Sequence, residues 1–339
     1  MWWDRSGVLS YQKLLNFVLS NRGGGKTFNC TEWAVKDFLK TGKQTMWVRR
    51  YDTELYGPKG KPAILDNNKF FDGIKKEGLF PGVELEVSGY EGKVNGEVAI
   101  YFMPLSTSRQ AKSVNFPNVN KIIFDEFLVG GDSSNGYLKN EVEILLDLIE
   151  TVDRLRDEVR VVLLANSISI VNPYFHYFKI KPRTDRRFTV YPEICVEIFK
   201  DAEFVEAKRK TRLGRLTAGT RYGDYAIENK WLLDNETFIE KKTPDAKFYV
   251  GLKYAGVMYG FWIDYDADRI FVNRQYDPSS YALYTLTKDD HEANLLLIKN
   301  IADTKRVERV VYAFRNGLLR FEDMQVKNQF YEFIGFFVR

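Results

Sequence analysis

The chain has 339 residues, 45% hydrophobic and 15% aromatic, which suits roughly two folded domains and argues against a mainly disordered state. Its net charge of +4 makes it only mildly basic, so a case for nucleic-acid binding must rest on local patches. No apolar run reaches bilayer length, the start MWWDRSG lacks a signal-peptide core, and the distant Cys30 and Cys195 match no metal spacing; these features argue against membrane and secreted roles and for reduced thiols in a cytosolic protein.

In chain order, KLLNFVLS (13–20) is a short apolar run ending at glycines and reads as a buried strand. KTFNCTEWAVKDFLKTG then spaces Phe28, Trp33, Ala34, Phe38 and Leu39 near a helical period, with Gly42 as the stop. TMWVRRY reads as a second strand. Residues 56–69, rich in Gly, Pro, Lys and Asn, read as a surface loop, and residues 83–105 alternate between glycine turns as one or two hairpins. NKIIFDEF is a buried strand ending in two acids, YLKNEVEILLDLIETVDRLRD a helix, and VRVVLLANS a further apolar strand. This alternation predicts an α/β unit with a mainly parallel sheet and helices on its faces. After about residue 200 the pattern changes. AEFVEAKRKTRLGR is basic and amphipathic, LTAGTRYGDYAIENK has the character of a connector, and residues 247–275 form an antiparallel meander. Helical patterns are expected from Asp290 onward, and a domain boundary near 200–230.

The turn SNRGGGKT carries the first chemical signal. A strand, a glycine-rich bend, Lys26 and Thr27, then a helix is the layout of a phosphate cradle. Backbone amides of Arg22, Gly23, Gly24 and Gly25 would face phosphate oxygens. Lys26 would reach the β and γ phosphates, and the Thr27 hydroxyl would coordinate Mg²⁺. The usual pattern is G-x-x-x-x-G-K-[ST], and Ser20 stands at its first glycine. Asp125 and Glu126 end an apolar strand about a hundred residues later, the layout in which an Asp holds Mg²⁺ and a Glu polarises the attacking water. Asn166 at the next strand end suits a γ-phosphate sensor or a turn cap equally. Arg154, Arg156 and Arg160 could stabilise transition-state charge at a neighbouring subunit or simply meet a helix dipole, and Arg22 could act within its own subunit.

These stretches together carry a resemblance. LSYQKLLNFVLSNRGGGKT, WVRRYDTEL, NFPNVNKIIFDEF, ANSISIVNPYF, AKRKTRLGRL and YDPSSYALYTLTKDD resemble the genome-packaging ATPases of phi29-like, protein-primed small podoviruses, which are related to large terminases. The similarity runs from about Leu9 nearly to the end. It implies a RecA-like P-loop ATPase domain of the additional-strand, catalytic-glutamate class over 1–200. A basic linker over 201–235 and a smaller α+β RNase H-like domain without nuclease activity over 236–339 would follow. Lys26 and Thr27 match the phosphate-loop pair, and Asp125 and Glu126 the magnesium acid and catalytic glutamate. Arg154 falls at the trans-acting arginine finger, and Lys112 at a second basic residue reaching the neighbour's site. By itself Lys112 reads as an exposed lysine before a buried strand. Ser20, the loop 56–69 and Asp52 after VRRY depart from the pattern.

The resemblance further implies ATP and Mg²⁺ as cofactors and a pentameric ring at the portal vertex of an empty capsid, held through prohead RNA. The ring would drive double-stranded DNA inward from the host cytoplasm and be absent from the mature virion. Grip without sequence reading calls for phosphate-directed contacts. Lys59, Lys61 and Lys69 are candidates for a pore loop or ordinary solvated lysines. The run Lys208, Arg209, Lys210, Arg212 and Arg215 is a denser patch whose partner is not legible. Asp264, Asp266 and Asp268 lie in one turn, an arrangement that does not supply a two-metal nuclease by itself. A different class of reading is a nucleic-acid-binding packaging assembly factor with a vestigial nucleotide site, motivated by Ser20 and the basic run.

Overall fold

A computed structural model describes residues 2–57, 64–66, 69–129, 136–166, 172–181, 183, 186–220, 223, 227, 238–298 and 305–334. The chain divides into two compact units, Met1–Leu233 and Asp234–Arg339. Lys59 and Lys61 lie outside the described residues. Among the described residues, no helix is long and apolar enough to cross a membrane.

In the first unit, α1 (Ser6–Leu9) leads into β1 (Leu15–Ser20), α2 (Lys26–Thr41), β2 (Gln44–Arg49), α3 (Asp52–Leu55) and α4 (Lys69–Lys76). The hairpin strands β3 (Leu85–Ser88), β4 (Glu91–Val94) and β5 (Glu97–Pro104) follow, then a 3-10 helix (Leu105–Ser113), β6 (Val119–Asp125), α5 (Glu141–Asp153), β7 (Arg160–Asn166) and α6 (Pro173–Tyr177). The unit continues through β8 (Phe188–Val190), β9 (Ile194–Phe199), α7 (Ala202–Arg209) and α8 (Arg212–Leu216). One sheet runs β3-β4-β5-β2-β6-β7-β1-β9-β8, and its six inner strands from β5 to β9 pair in parallel.

Residues 17–19, 122–124 and 161–165 of the inner strands read as apolar runs because both faces of the sheet are covered there. Leu15, Phe17 and Leu19 of β1 share one cluster with Phe124 of β6 and with Leu145, Leu148 and Val152 of α5. Val18 of β1, Ile123 of β6 and Leu164 of β7 join Cys30, Ala34 and Val35 of α2 in the other. Successive strand residues point to opposite faces, so one run of residues serves both layers. Parallel pairing aligns Ser20 with Asn166 and Asp125 with Leu164, bringing three chemically marked strand ends to the carboxyl edge of the sheet.

Several expectations are corrected. The buried stripe of α2 runs through Cys30, Thr31, Ala34 and Val35, with Phe28, Trp33 and Phe38 at its margin, while Leu39 is exposed. The hairpins over 83–105 are present as expected, and β5 also extends the main sheet beside β2. The pattern of the segment before residue 200 hides β8 and β9, since the buried Glu197 interrupts the apolar run of Ile194–Phe199. Residue Lys69 starts a helix rather than ending a loop. In the basic run, Lys208 and Arg209 end α7, Lys210 caps it, and Arg212 and Arg215 lie in α8.

In the second unit, β10 (Lys247–Tyr254), β11 (Val257–Asp264) and β12 (Arg269–Asn273) form the expected meander. They are joined by β13 (Leu283–Thr285), β14 (Leu296–Leu297), α9 (Lys305–Arg315), β15 (Leu319–Phe321) and α10 (Met324–Ile334) in a sheet ordered β14-β13-β10-β11-β12-β15. The helical expectation from Asp290 is therefore wrong at β14 and β15. Strands of two and three residues are too short to show a period, and β15 is held by parallel pairing to β12. Val307, Val310 and Val311 of α9 and Val326, Phe330 and Phe333 of α10 pack with β10–β12 in one core.

Candidate functional site

Between β1 and α2 the chain turns over Asn21–Gly25. Gly23 and Gly25 have φ of +83° and +82°, a left-handed backbone that residues with a β-carbon resist. A β-carbon at Gly24 would lie 3.0 Å from Ser20 Oγ, and one at Gly25 2.9 Å from the Trp2 ring. Gly25 caps the 16-residue α2 without a side-chain hydrogen bond, so no cap side chain claims the first amides of the helix. Such an end attracts an anion through its amides and dipole. Lys26 is folded back over the bend: its Nζ donates to Ser20 Oγ at 2.7 Å, to Asn21 O at 3.3 Å and to Asn166 Oδ1 at 3.3 Å. Burial pushes the Lys26 ammonium down to a pKa of about 8, against the opposing pull of Asp125 and Glu126.

The acids arrive from β6. Thr27 Oγ1 donates to Asp125 at 3.3 Å, and Glu126 leaves the strand with a left-handed φ of 60°. The parallel register of Val48 with Phe124 sets Arg49, the last residue of β2, beside Asp125. Its guanidinium donates to Asp125 Oδ2 at 3.2 Å and Glu126 Oε2 at 2.8 Å, and lies 3.4 Å from Glu54. Burial pushes the Asp125 carboxyl up, and Arg49 pulls it back. Asp125 is buried, whereas the Glu126 side chain is 60% exposed and can turn toward solvent. A Thr hydroxyl beside a buried carboxylate is a hard-oxygen donor set that fits Mg²⁺.

These groups line one open cleft of about 320 Å³, bounded by residues 22–28 with Asp125, Glu126, Ala165, Asn166 and Trp2. The fold thus brings together Arg22, Gly23, Gly24, Gly25, Lys26, Thr27, Asp125, Glu126 and Asn166. Lys112 and Arg154 do not line it. They sit together elsewhere: Arg154 Nη2 donates to Val114 O at 3.0 Å and Lys112 O at 3.4 Å, and Lys112 Nζ pairs with Asp147 at 3.0 Å. Arg156 instead holds the carbonyls of Val119 and Val152, at 2.8 and 2.6 Å, and Phe116 at 3.2 Å, a structural clamp at the end of α5. Arg160 bonds its neighbour's carbonyl, Val159 O, at 3.2 Å. Lys208 reaches back from α7 to the carbonyl of Arg22. In the second unit, Asp264 accepts from the amides of Asp266 and Ala267 at 3.0 and 2.9 Å and from the Thr243 hydroxyl, as a turn residue does.

Sequence reasoning missed Arg49, Trp2 and Phe28. Arg49 had no signal of its own, because only the lateral order of the strands sets it against Asp125 and Glu126. Trp2 had none; only the fold brings the start of the chain to the glycine bend. There, Trp3 N donates to Gly24 O at 2.9 Å, and its buried indole donates to Glu197 Oε2 at 2.8 Å.

A family model described as podovirus DNA encapsidation protein (Gp16) matches residues 1–337. The chain is 38% identical over 332 residues to a DNA packaging protein of Bacillus phage phi29, covering 98% of this chain and 96% of that protein. A solved structure of the bacteriophage phi29 viral genome packaging motor assembly contains a chain that matches with a TM-score of 0.80 at 38% identity, over 98% of each chain. The crystal structure of the N-terminal domain of the phi29 DNA packaging ATPase matches with a TM-score of 0.53 at 38% identity, covering 60% of this chain and 98% of that one.

Proposed function

Because the chain belongs to the family of podovirus DNA encapsidation proteins, we propose that it is an ATP-hydrolysing motor that drives double-stranded viral DNA into an empty capsid. The observation that carries this reading is the convergence of Lys26, Thr27, Asp125 and Glu126 on one cleft at the carboxyl edge of a parallel sheet. The additional-strand class is supported by β7, which lies between β1 and β6.

The chemistry follows from the positions. Unclaimed amides at the start of α2 and the Lys26 ammonium bind the β and γ phosphates, and an anion there would draw Lys26 from Ser20. Thr27 and Asp125 would hold Mg²⁺, which when bound neutralises phosphate oxygens and charge developing between them. Glu126 accepts hydrogen bonding from, and orients, the water that attacks the γ phosphate. Arg49 competes with that water for the same carboxylate and so sets how available the base is. Asn166, within reach of Lys26, senses whether the γ phosphate is present. Arg22 at the cleft rim can meet phosphate charge from within the chain.

In this reading Arg154 and Lys112 serve the cleft of a neighbouring copy in a pentameric ring at the portal vertex, held there through prohead RNA. The basic helices α7 and α8 and Lys69 are candidates for nucleic-acid or subunit contact. The protein would work at the portal in the host cytoplasm and be absent from the mature virion. Residues 1–200 would form the ATPase domain, 201–235 a basic linker and 236–339 an RNase H-like domain. This last domain would not cut DNA, consistent with Asp264 being held in a turn.

The test is ATP turnover with magnesium, measured with and without duplex DNA and empty capsids. Stimulated turnover is expected, and Glu126→Gln should keep nucleotide binding but abolish turnover. Intact RNA binding with no turnover in the wild type would favour an assembly factor with a vestigial site. Ser20, at the motif's first glycine, bonds Lys26 and is the observation that keeps this second reading in play.

A further inference from the structure

We infer that Trp2 is the stacking face for the nucleotide base, with Phe28 bracing it, so that base affinity is built from the first residues of the chain. The inference rests on the reading of the cleft as a nucleotide site. The polar groups that suit a triphosphate, Lys26, Thr27 and Asp125, gather at the bend and the strand ends. A nucleoside also presents a flat π-system, which needs an aromatic or apolar surface. Among the described residues lining the cleft, Trp2 and Phe28 are the aromatic ones.

Trp2 is placed for this role and not for a core role. It is 54% exposed and lines the cleft. Its ring lies against Gly25, where a β-carbon would come within 2.9 Å of it. It meets Phe28 edge to face, with centroids 5.1 Å apart and planes at 82°. The next residue fixes the position: Trp3 is fully buried, tied by its amide to Gly24 O and by its indole to Glu197. The buried tryptophan is thus the anchor and the exposed one the presented face. An aromatic face carries no donor or acceptor code, so stacking there would serve adenine and guanine alike.

The experiment compares two ligands of the full chain, each with magnesium: a non-hydrolysable ATP analogue and inorganic tripolyphosphate, which lacks a base. Binding is measured by calorimetry for the wild type, Trp2→Ala and Trp2→Phe. We expect Trp2→Ala to weaken the ATP analogue roughly tenfold or more, the range seen when one stacked aromatic is removed. Tripolyphosphate affinity should not change, Trp2→Phe should restore most of the loss, and a GTP analogue should lose as much as the ATP analogue. Equal weakening of analogue and tripolyphosphate would show that Trp2 acts through the bend at Gly25 and would overturn the stacking role. Unchanged analogue binding in Trp2→Ala would overturn it as well. A wild type that binds neither ligand would instead remove the nucleotide reading itself, and the inference with it.

Discussion

Lys26 is the residue on which the site's charge balance turns. Its ammonium is buried against the bend, and burial lowers its pKa from 10.5 to about 8. A bound triphosphate would face that group with several negative charges and raise its pKa again. The sign follows from linkage: the free site holds fewer protons than the bound site above about pH 8, so binding takes up a proton there. Affinity for a non-hydrolysable ATP analogue should be flat at lower pH and fall as pH rises through about 8, by at most about tenfold per pH unit. Calorimetry near that pH in buffers of different ionisation enthalpy should register uptake of a fraction of a proton. Lys26→Arg keeps its charge throughout and should show neither the slope nor the uptake. An unchanged slope in this variant would assign the titration to another group. Asp125, beside Lys26, feels burial with the opposite sign: burial pushes its carboxyl up, and Arg49 pulls it back.

At the scale of elements, the two ends of α2 allow the local backbone cost to be separated from function. Gly25 at its start and Gly42 at its end both adopt left-handed φ, +82° and +70°. Alanine at either costs roughly 1 kcal/mol of stability from the backbone alone. Nothing lies within 4 Å of a β-carbon at Gly42, whereas one at Gly25 meets Trp2 at 2.9 Å. Gly42→Ala should therefore lower the melting temperature by a few degrees, about what 1 kcal/mol gives, with nucleotide affinity intact. Gly25→Ala should lower both, and analogue binding equal to wild type would show that the bend does not hold the ligand. These elements are also where the sequence was most readable. β1, β6 and β7 are covered on both faces, and the apolar runs 17–19, 122–124 and 161–165 make the polar residues that end them, Ser20, Asp125 and Asn166, stand out. The strand β9 hid because a buried Glu197 serves Trp3 and Arg187 inside it, a pairing that periodicity does not register. The strand β15 hid because three residues are held by their partner β12 rather than by their own pattern. Arg49 hid because its role comes from lateral strand order, with its acids 76 and 77 positions away in sequence.

For the whole molecule, the decisive feature is a separation within the first unit. The cleft holds the phosphate bend and both acids, while Arg154 and Lys112 lie off it. Arg154 caps α5 in a left-handed conformation, φ 44°, and its guanidinium bonds the carbonyls of Lys112 and Val114. Beside it, Leu155 also has a positive φ, 68°, and is fully exposed. A fixed guanidinium flanked by a bare apolar side chain is better suited to meet another surface than to serve its own cleft. If a second copy supplies Arg154, turnover must depend on assembly. Specific ATPase activity of the wild type should rise with protein concentration, and Arg154→Ala should abolish that rise while leaving analogue binding in the dilute chain unchanged. Mixing separates this from a folding defect. Arg154→Ala and Lys26→Ala chains, each inactive alone, should regain part of the wild-type turnover when combined, because an intact cleft then meets an intact arginine across one interface. Turnover that is independent of concentration, with no rescue on mixing, would place the whole catalytic apparatus within a single chain.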